Sequence, residues 1–317
     1  MYDNHSKGIS YIAGFFILIA FVIVGVIMAG LLSIPIWQAL TGLPFSSMAD
    51  GMSNPANANA VKMIQVVTTI VGFLLPAIVT AYLLNRRPMH LLGYKKSINR
   101  NEIALVAIIM LAALFFSSAL AYFNDHIQIA ASLKEQFDKM EADYNNQAAA
   151  ILTMKNFGDY LIALFVMAFL PALCEETLFR GGLQNFLARS TKKPWAAIIV
   201  VSILFSLAHL SYYGFLSRLF LGIILGAIFY YSGKLWLSIV GHFINNAIAI
   251  TMVYISMTQG KSIDTTLSDT SGETWAGVFV LPILILVFYY FIKITKKEQE
   301  QNLPVAVDEE SQDASQI

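Results

Sequence analysis

The chain has 317 residues, of which 57% are hydrophobic and 13% are charged, about half the charged fraction of a typical soluble domain. Its mean hydropathy of +0.65 excludes an ordinary soluble globular protein and predicts a chain surrounded mostly by lipid. The formal net charge is zero, so the composition gives no indication of nucleic acid as a partner. The single cysteine, Cys174, excludes an intramolecular disulfide.

Eight apolar segments follow one another along the chain, each near the length of about 20 residues that a helix needs to cross the bilayer core. The sequence therefore predicts an all-α fold, a polytopic transmembrane helical bundle of about eight spans. The first segment is too long for the apolar core of a signal peptide, and we predict that it is a retained helix. The predicted spans are 9–34, 61–84, 102–123, 160–187, 194–211, 215–233, 235–257 and 275–294.

Three polar stretches separate or follow these spans. Residues 35–60 are rich in Pro, Gly, Ser and Asn, which predicts a loop. Residues 124–158 have too few apolar positions to cross a membrane, so we predict a solvated helix or loop. Residues 296–317 are acidic and lack aromatic side chains, which predicts a disordered tail.

These features divide the chain into four predicted parts. The parts are N-terminal membrane helices and loops, a core that carries the polar motifs, a loop with the last membrane helix, and the acidic tail. Their bounds are 1–157, 158–257, 258–295 and 296–317.

Basic residues indicate the orientation of the bundle, because short cytoplasmic loops carry an excess of Lys and Arg. The loops 85–101 and 188–193 and the C-terminal edge near Lys293 are the basic connections. With eight spans all of them lie on the same side as the N-terminus. We therefore predict that both termini are cytoplasmic.

The fourth span contains three charged residues, although a charge at the bilayer centre costs about 2.5–3.5 kcal/mol on insertion scales. Glu176 and Arg180 are four residues apart, so they share a helix face and are predicted to pair. A buried ion network that braces helices is the structural alternative for this pair. Glu175 has no partner on its own helix, which indicates a functional carboxylate. The neighbouring Cys174 has the wrong electrostatics for a thiolate nucleophile.

Two later spans add polar side chains. His209 follows Phe205 by four residues in the fifth span, and His242 and Asn246 are four residues apart in the seventh. A lone histidine on an apolar helix is more often a hydrogen-bonded core residue. Together with Glu175, however, these side chains are sufficient for hydrolysis, because a carboxylate with a histidine can polarise water and a histidine with an amide can stabilise an oxyanion.

The sixth span contains two further features. Arg218 stands at its start and is predicted to extend its guanidinium toward water. Gly222 and Gly226 form a G-x-x-x-G pattern, which is typical of close helix packing.

The three polar motifs, taken in order, resemble those of the CAAX-protease and bacteriocin-processing family of intramembrane proteases. The resemblance covers roughly 158–257, about a third of the chain. The motifs are E-E-x-x-x-R with Glu175, Glu176 and Arg180, F-x-x-x-H with Phe205 and His209, and H-x-x-x-N with His242 and Asn246.

The resemblance implies a role for each of these residues. Glu175 would be the general base that activates water, helped by His209, while His242 and Asn246 would form the oxyanion hole. Supporting roles would fall to the remaining motif residues, which are Glu176, Arg180 and Phe205.

No cofactor is expected from this resemblance, which implies a glutamate-dependent protease. A zinc ion held by Glu175, His209 and His242 stays open as an alternative, since one carboxylate and two imidazoles can form a zinc site. The sequence contains no H-E-x-x-H that would place two histidine ligands on one helix.

The predicted function is therefore an intramembrane endopeptidase that hydrolyses a peptide bond of a membrane-associated or lipidated peptide. The predicted partners are a membrane peptide or protein substrate and the lipid bilayer, and the predicted location is a bacterial plasma membrane. The alternative is a non-proteolytic transporter or a membrane protein that binds and regulates a partner, since charges inside membranes also mark ion paths. Counting about 1.5 Å per residue places His209 several ångströms farther outward than Glu175 and His242, which a shared site would have to overcome.

Overall fold

The computed structural model describes residues 5–95, 98–263, 266 and 274–301. Within these ranges the chain is helical, and the only β-type pairing is an isolated bridge between Ser6 and Asn85. Seven described helices are long and apolar enough to cross a membrane, and an eighth, shorter apolar helix lies among them. The predicted all-α polytopic bundle of about eight spans is confirmed. The predicted disordered tail lies outside the described residues beyond Gln301, and the last helix already continues to that residue.

Nine helices are labelled here, of which α4 lies outside the set of apolar helices. Short helical turns occur between them at Phe45–Ser47, Met48–Gly51 and Pro88–Leu91, and a 3₁₀ turn, Trp275–Val280, precedes the last. The helices are α1 Tyr11–Thr41, α2 Pro55–Leu84, α3 Arg100–Asp125, α4 Ala131–Leu152, α5 Phe157–Thr191, α6 Pro194–Leu207, α7 Phe215–Ser232, α8 Leu235–Thr258 and α9 Leu281–Gln301.

The predicted loop 35–60 is wrong at both of its ends. Helix α1 continues through Pro35 to Thr41, where Gly42 ends it in a left-handed conformation with φ 71°. A proline inside a helix removes one backbone hydrogen bond. The fully buried Trp37 packs in one cluster with Val61 and Ile64, and this packing holds the last turn of α1 in place.

One end of the bundle collects the basic connections, as the sequence predicted. The backbone N–H of Lys7 donates to Leu84 O, and that of Leu235 donates to Gly93 O, both at 2.9 Å. Arg189 contacts the Tyr11 hydroxyl at 3.4 Å. The N-terminal segment and the loops at 85–99, 188–193 and 233–234 therefore meet, and this region is called the basic end below.

Helix α4 lies at the opposite end and is the helix form of the predicted solvated helix or loop, with most of its residues exposed. It is pinned to the turn that follows α6. Ser211 donates to Glu141 at 2.7 Å, and the rings of Phe137 and Tyr212 stack with centroids 4.4 Å apart. The last residues of α4, including Leu152, are buried in the bundle.

Close packing and irregular turns position the central helices. A Cβ on Gly222 would come within 3.0 Å of the Ser202 Cβ, and a Cβ on Gly226 within 2.7 Å of Gln184 Oε1. The predicted packing role of the G-x-x-x-G pattern is thus confirmed. Helix α5 contains two wide π-type stretches, Leu164–Phe169 and Thr177–Gln184, a feature that occurs frequently at functional sites.

Candidate active site

A cavity of about 480 Å³ inside the bundle contains all four predicted catalytic side chains, Glu175, His209, His242 and Asn246, in its lining. They come from α5, from the turn after α6 and from α8. Helix α6 ends at Leu207, so His209 lies in the turn that follows this helix. Since His209 lines the same cavity as the other three residues, the expected difference in depth does not keep it out of the site.

The deepest part of the site is a buried chain of charged groups. Arg180 Nε lies 3.2 Å from Glu176 Oε2, and His242 Nδ1 donates to Glu176 Oε1 at 2.9 Å. Glu176 is fully buried and Arg180 is 1% exposed. The pair predicted from the four-residue spacing is present. The bond from Glu176 to His242 was not predicted, because no spacing along the chain indicates which helix faces α5.

His242 links this buried network to the cavity. Its Nδ1–H is committed to Glu176, so its other nitrogen, Nε2, faces the cavity side and lies 4.0 Å from Glu175 Oε2. That separation is longer than a hydrogen bond. Among the described residues Glu175 Oε2 has no hydrogen-bond partner. Glu175 therefore presents a carboxylate oxygen, free of protein donors, beside an oriented imidazole.

The four-residue spacing of the F-x-x-x-H motif corresponds to a contact between Phe205 and His209. The backbone carbonyl of Phe205 accepts a hydrogen bond from His209 Nδ1 at 2.9 Å, which leaves Nε2 of His209 unprotonated in the neutral ring. The Phe205 ring lies edge-on to both histidines, with centroid distances of 5.0 Å to His209 and 5.8 Å to His242. Arg180 packs on the same ring at 4.6 Å. One aromatic side chain thus fixes both imidazoles and the buried guanidinium.

Asn246 reaches the cavity one helical turn after His242. The neighbouring Asn245 donates from Nδ2 to Asn246 Oδ1 at 3.1 Å, which leaves the Asn246 NH₂ group available as a donor. Asn245 also lines the cavity and was not singled out from the sequence. Its position directly before Asn246 in an apolar span is the signal that could have indicated it.

Arg218 is a second residue that the sequence did not assign to the site. Arg218 lines the cavity, and its guanidinium lies 5.4 Å from the Tyr144 ring centroid. The Nη1 atom of Arg218 is buried without a hydrogen-bond partner among the described residues. The sequence predicted that this side chain extends toward water, whereas its guanidinium lies in the cavity beside α4. The cavity lining therefore includes a half-buried cation.

Two other chemistries receive no support from the geometry. Among the residues that the structure describes, no three His, Cys, Asp or Glu side chains form a group that could hold a metal ion. The alternative zinc ligands Glu175, His209 and His242 thus do not make such a group, and no step proposed below uses a metal. Cys174 is fully buried and does not line the cavity.

Comparison with known proteins finds a family match over the segment that carries the site. Residues 157–248 match the family described as type II CAAX prenyl endopeptidase Rce1-like. The matched segment is less than a third of the chain and includes every residue of the three motifs. The resemblance predicted from the motifs is confirmed over this segment, and the family supports an intramembrane endopeptidase activity. No curated protein and no solved structure matches the chain.

Proposed function

We propose that the chain is a glutamate-dependent intramembrane endopeptidase that hydrolyses a peptide bond of a membrane-associated peptide. The observation that supports this function most strongly is the position of Glu175. Its carboxylate faces an internal cavity, has an oxygen without a protein donor, and lies 4.0 Å from His242 Nε2. A carboxylate in that setting can accept a proton from water.

The proposed reaction uses all four side chains. Glu175, assisted by the unprotonated Nε2 of His209, removes a proton from water, and the hydroxide attacks the carbonyl carbon of the substrate. His242, doubly protonated, donates from Nε2 to the oxyanion, and Asn246 donates from its NH₂ group. When the intermediate collapses, the C–N bond breaks and Glu175 gives the proton to the leaving amine.

Glu176 and Arg180 act in this proposal as positioning residues. Glu176 holds Nδ1 of His242 and so fixes the direction of Nε2. Arg180 neutralises the buried Glu176 carboxylate and donates from Nη2 to Gly222 O at 3.2 Å, which ties α5 to α7. Orientation of a histidine by a carboxylate is a common way to fix which nitrogen faces the reacting group.

The protein is an integral membrane protein, with seven long apolar helices in the part of the chain that the structure describes, and its substrate in this proposal reaches the cavity from the bilayer. We further propose a bacterial plasma membrane as its location, with the basic end in the cytoplasm, because the N-terminal segment and the Lys- and Arg-rich loops meet at that end. The chemistry of this site is suited both to the maturation of a small peptide, such as a bacteriocin, and to the cleavage of a prenylated peptide. Identification of the substrate would distinguish these two functions.

A membrane-peptide library tests the proposed function. The purified full chain in lipid vesicles is expected to cleave a subset of the library, with products identified by mass spectrometry, and to retain that cleavage in the presence of a strong chelator. Loss of cleavage on chelation would replace the proposed mechanism with a metal-dependent one. Because Arg218 lines the cavity, the cleaved peptides are expected to be enriched in acidic residues. A set of cleaved peptides without such enrichment would show that Arg218 does not select the substrate.

Asn246→Ala is expected to lower kcat about 100- to 1000-fold, the usual cost of losing an oxyanion donor. Its KM is expected to change little, because the lost bond forms mainly in the transition state. Asn245→Ala is the comparison variant, since it removes the amide that donates to Asn246 Oδ1 but keeps the proposed oxyanion donor, and it is expected to lower kcat less than Asn246→Ala. A kcat for Asn246→Ala within about tenfold of wild type would show that the oxyanion role is misassigned.

A further inference from the structure

A second cavity of about 180 Å³ lies at the basic end of the bundle and shares no lining residue with the cavity described above. It opens where the loop after α2, the connection from α5 to α6 and the turn from α7 to α8 meet. Three basic side chains, His90, Lys95 and Arg189, line it, and none of its lining residues is Asp or Glu. The motifs and the family segment give no role to this cavity.

The cations around the cavity differ in whether they have an acidic partner among the described residues. Burial lowers the pKa of Lys95, and the nearby cations Lys234 and Arg189 lower it further. The charge of Lys234 is offset by Glu102, whose two oxygens each lie 2.8 Å from Nζ. Lys95 and Arg189 have no such carboxylate among the described residues.

Within the described part of the chain, the contacts of Arg189 are to neutral groups. Its Nε donates to Asn185 Oδ1 at 2.8 Å, its Nη1 contacts the Tyr11 hydroxyl at 3.4 Å, and its guanidinium lies 5.2 Å from the Tyr11 ring centroid. These contacts fix the direction of the guanidinium without neutralising it. Two like charges are thus held beside one small cavity, an arrangement that an anion would stabilise.

The surroundings indicate the depth of the cavity in the membrane. Tyr230 lines it and is 43% exposed, and Trp195, which follows the lining residue Pro194, is 46% exposed. Exposed Trp and Tyr side chains concentrate at the level of the lipid headgroups. Basic pockets between membrane helices at this level bind phosphate-bearing headgroups.

We propose that the cavity lined by His90, Lys95 and Arg189 is a binding site for a phosphate group, supplied by an anionic phospholipid headgroup or by a soluble phosphate compound. The site is independent of the proposed peptidase activity. A phosphate there would contact three separate connections at the basic end and hold them together. The volume of the cavity accommodates a headgroup phosphate, and the acyl chains of the lipid would lie outside the cavity, against the bundle.

Native mass spectrometry of the full chain in neutral detergent tests this site. The probes are dihexanoyl phosphatidylglycerol, dihexanoyl phosphatidylcholine and inorganic phosphate. Wild type is expected to retain one phosphatidylglycerol molecule. The double variant Lys95→Gln/Arg189→Gln is expected to bind this lipid about 10- to 25-fold more weakly, because each lost cation weakens binding by up to roughly fivefold. Displacement of the bound lipid by millimolar inorganic phosphate would identify a soluble compound as a sufficient ligand, whereas phosphate without effect would identify the headgroup.

The matched control is Lys192→Gln/Lys193→Gln, which makes the same charge change on exposed residues of the same connection that do not line the cavity. This pair is expected to keep the wild-type affinity within about threefold. Equal weakening in both pairs would show a diffuse basic surface instead of a site and would overturn the proposal. Absence of retention of all three probes by wild type would overturn it as well. Unfolding temperatures of both variants serve to exclude misfolding as the cause.

Discussion

Glu175→Gln is expected to lower the cleavage rate about 100- to 10,000-fold, the range found for loss of a general base, while leaving the fold intact. The substitution keeps the size of the side chain and removes its ability to take a proton from water. Glu175 Oε2 has no hydrogen-bond partner among the described residues and lies 4.0 Å from the nearest His242 nitrogen. Little structure therefore depends on the charge of this carboxylate. Single-turnover cleavage of a peptide identified from the library measures the effect.

A matched control for this variant is Cys174→Ala, which changes the adjacent residue on the same helix without altering the cavity lining. That variant is expected to cleave at close to the wild-type rate. Unfolding temperatures of the two proteins are expected to lie near that of wild type. Cleavage by Glu175→Gln at more than about a tenth of the wild-type rate would contradict the proposed base, whatever the state of the fold.

The sequence predicted the membrane helices because a segment that crosses lipid must be a long apolar run whose backbone hydrogen bonds are satisfied within the helix. Charged residues inside such runs are costly, so Glu175, Glu176 and Arg180 could be recognised as a group without knowledge of the fold. The four-residue spacing also predicted the contact between Glu176 and Arg180, since both side chains lie on one face of α5.

Contacts between helices could not be predicted in the same way. The bond from Glu176 to His242 joins α5 to α8, and the contact of Arg218 with Tyr144 joins α7 to α4. Neither pair has a fixed spacing along the chain. The polar composition of segment 124–158 predicted its exposure, and most of α4 is exposed. Its packing against the turn after α6 is a tertiary effect that the composition does not indicate.

Irregular helix geometry is the reason that depth along the bundle could not be counted from the sequence alone. Counting about 1.5 Å and 100° per residue assumes a straight, regular helix. Helix α5 instead contains two wide stretches, Leu164–Phe169 and Thr177–Gln184, on either side of Glu175. These stretches add residues to a turn without adding proportionate length, so positions along α5 drift from the regular count. His209 departs from it for a different reason, since it lies beyond the end of α6.

Glu176→Ala is expected to destabilise the fold by about 3–5 kcal/mol, the usual effect of removing one partner from a buried ion pair. Arg180 would stay buried at 1% exposure without its carboxylate, and His242 Nδ1 would lose its acceptor. The neighbouring carboxylates thus differ in what they support, since Glu175 faces the cavity and Glu176 is enclosed. Unfolding temperature in detergent, compared with that of Glu175→Gln, measures this difference.

The double variant Glu176→Leu/Arg180→Met separates the two roles of Glu176. Replacing a buried ion pair by apolar side chains of similar size is often neutral for stability, so this protein is expected to regain most of the unfolding temperature lost in Glu176→Ala. Its cleavage rate is expected to stay low, because His242 would still lack the carboxylate that directs Nε2 toward the cavity. Recovery of stability together with activity would show that Glu176 only braces the helices. Recovery of stability alone would establish Glu176 as the residue that positions the oxyanion donor.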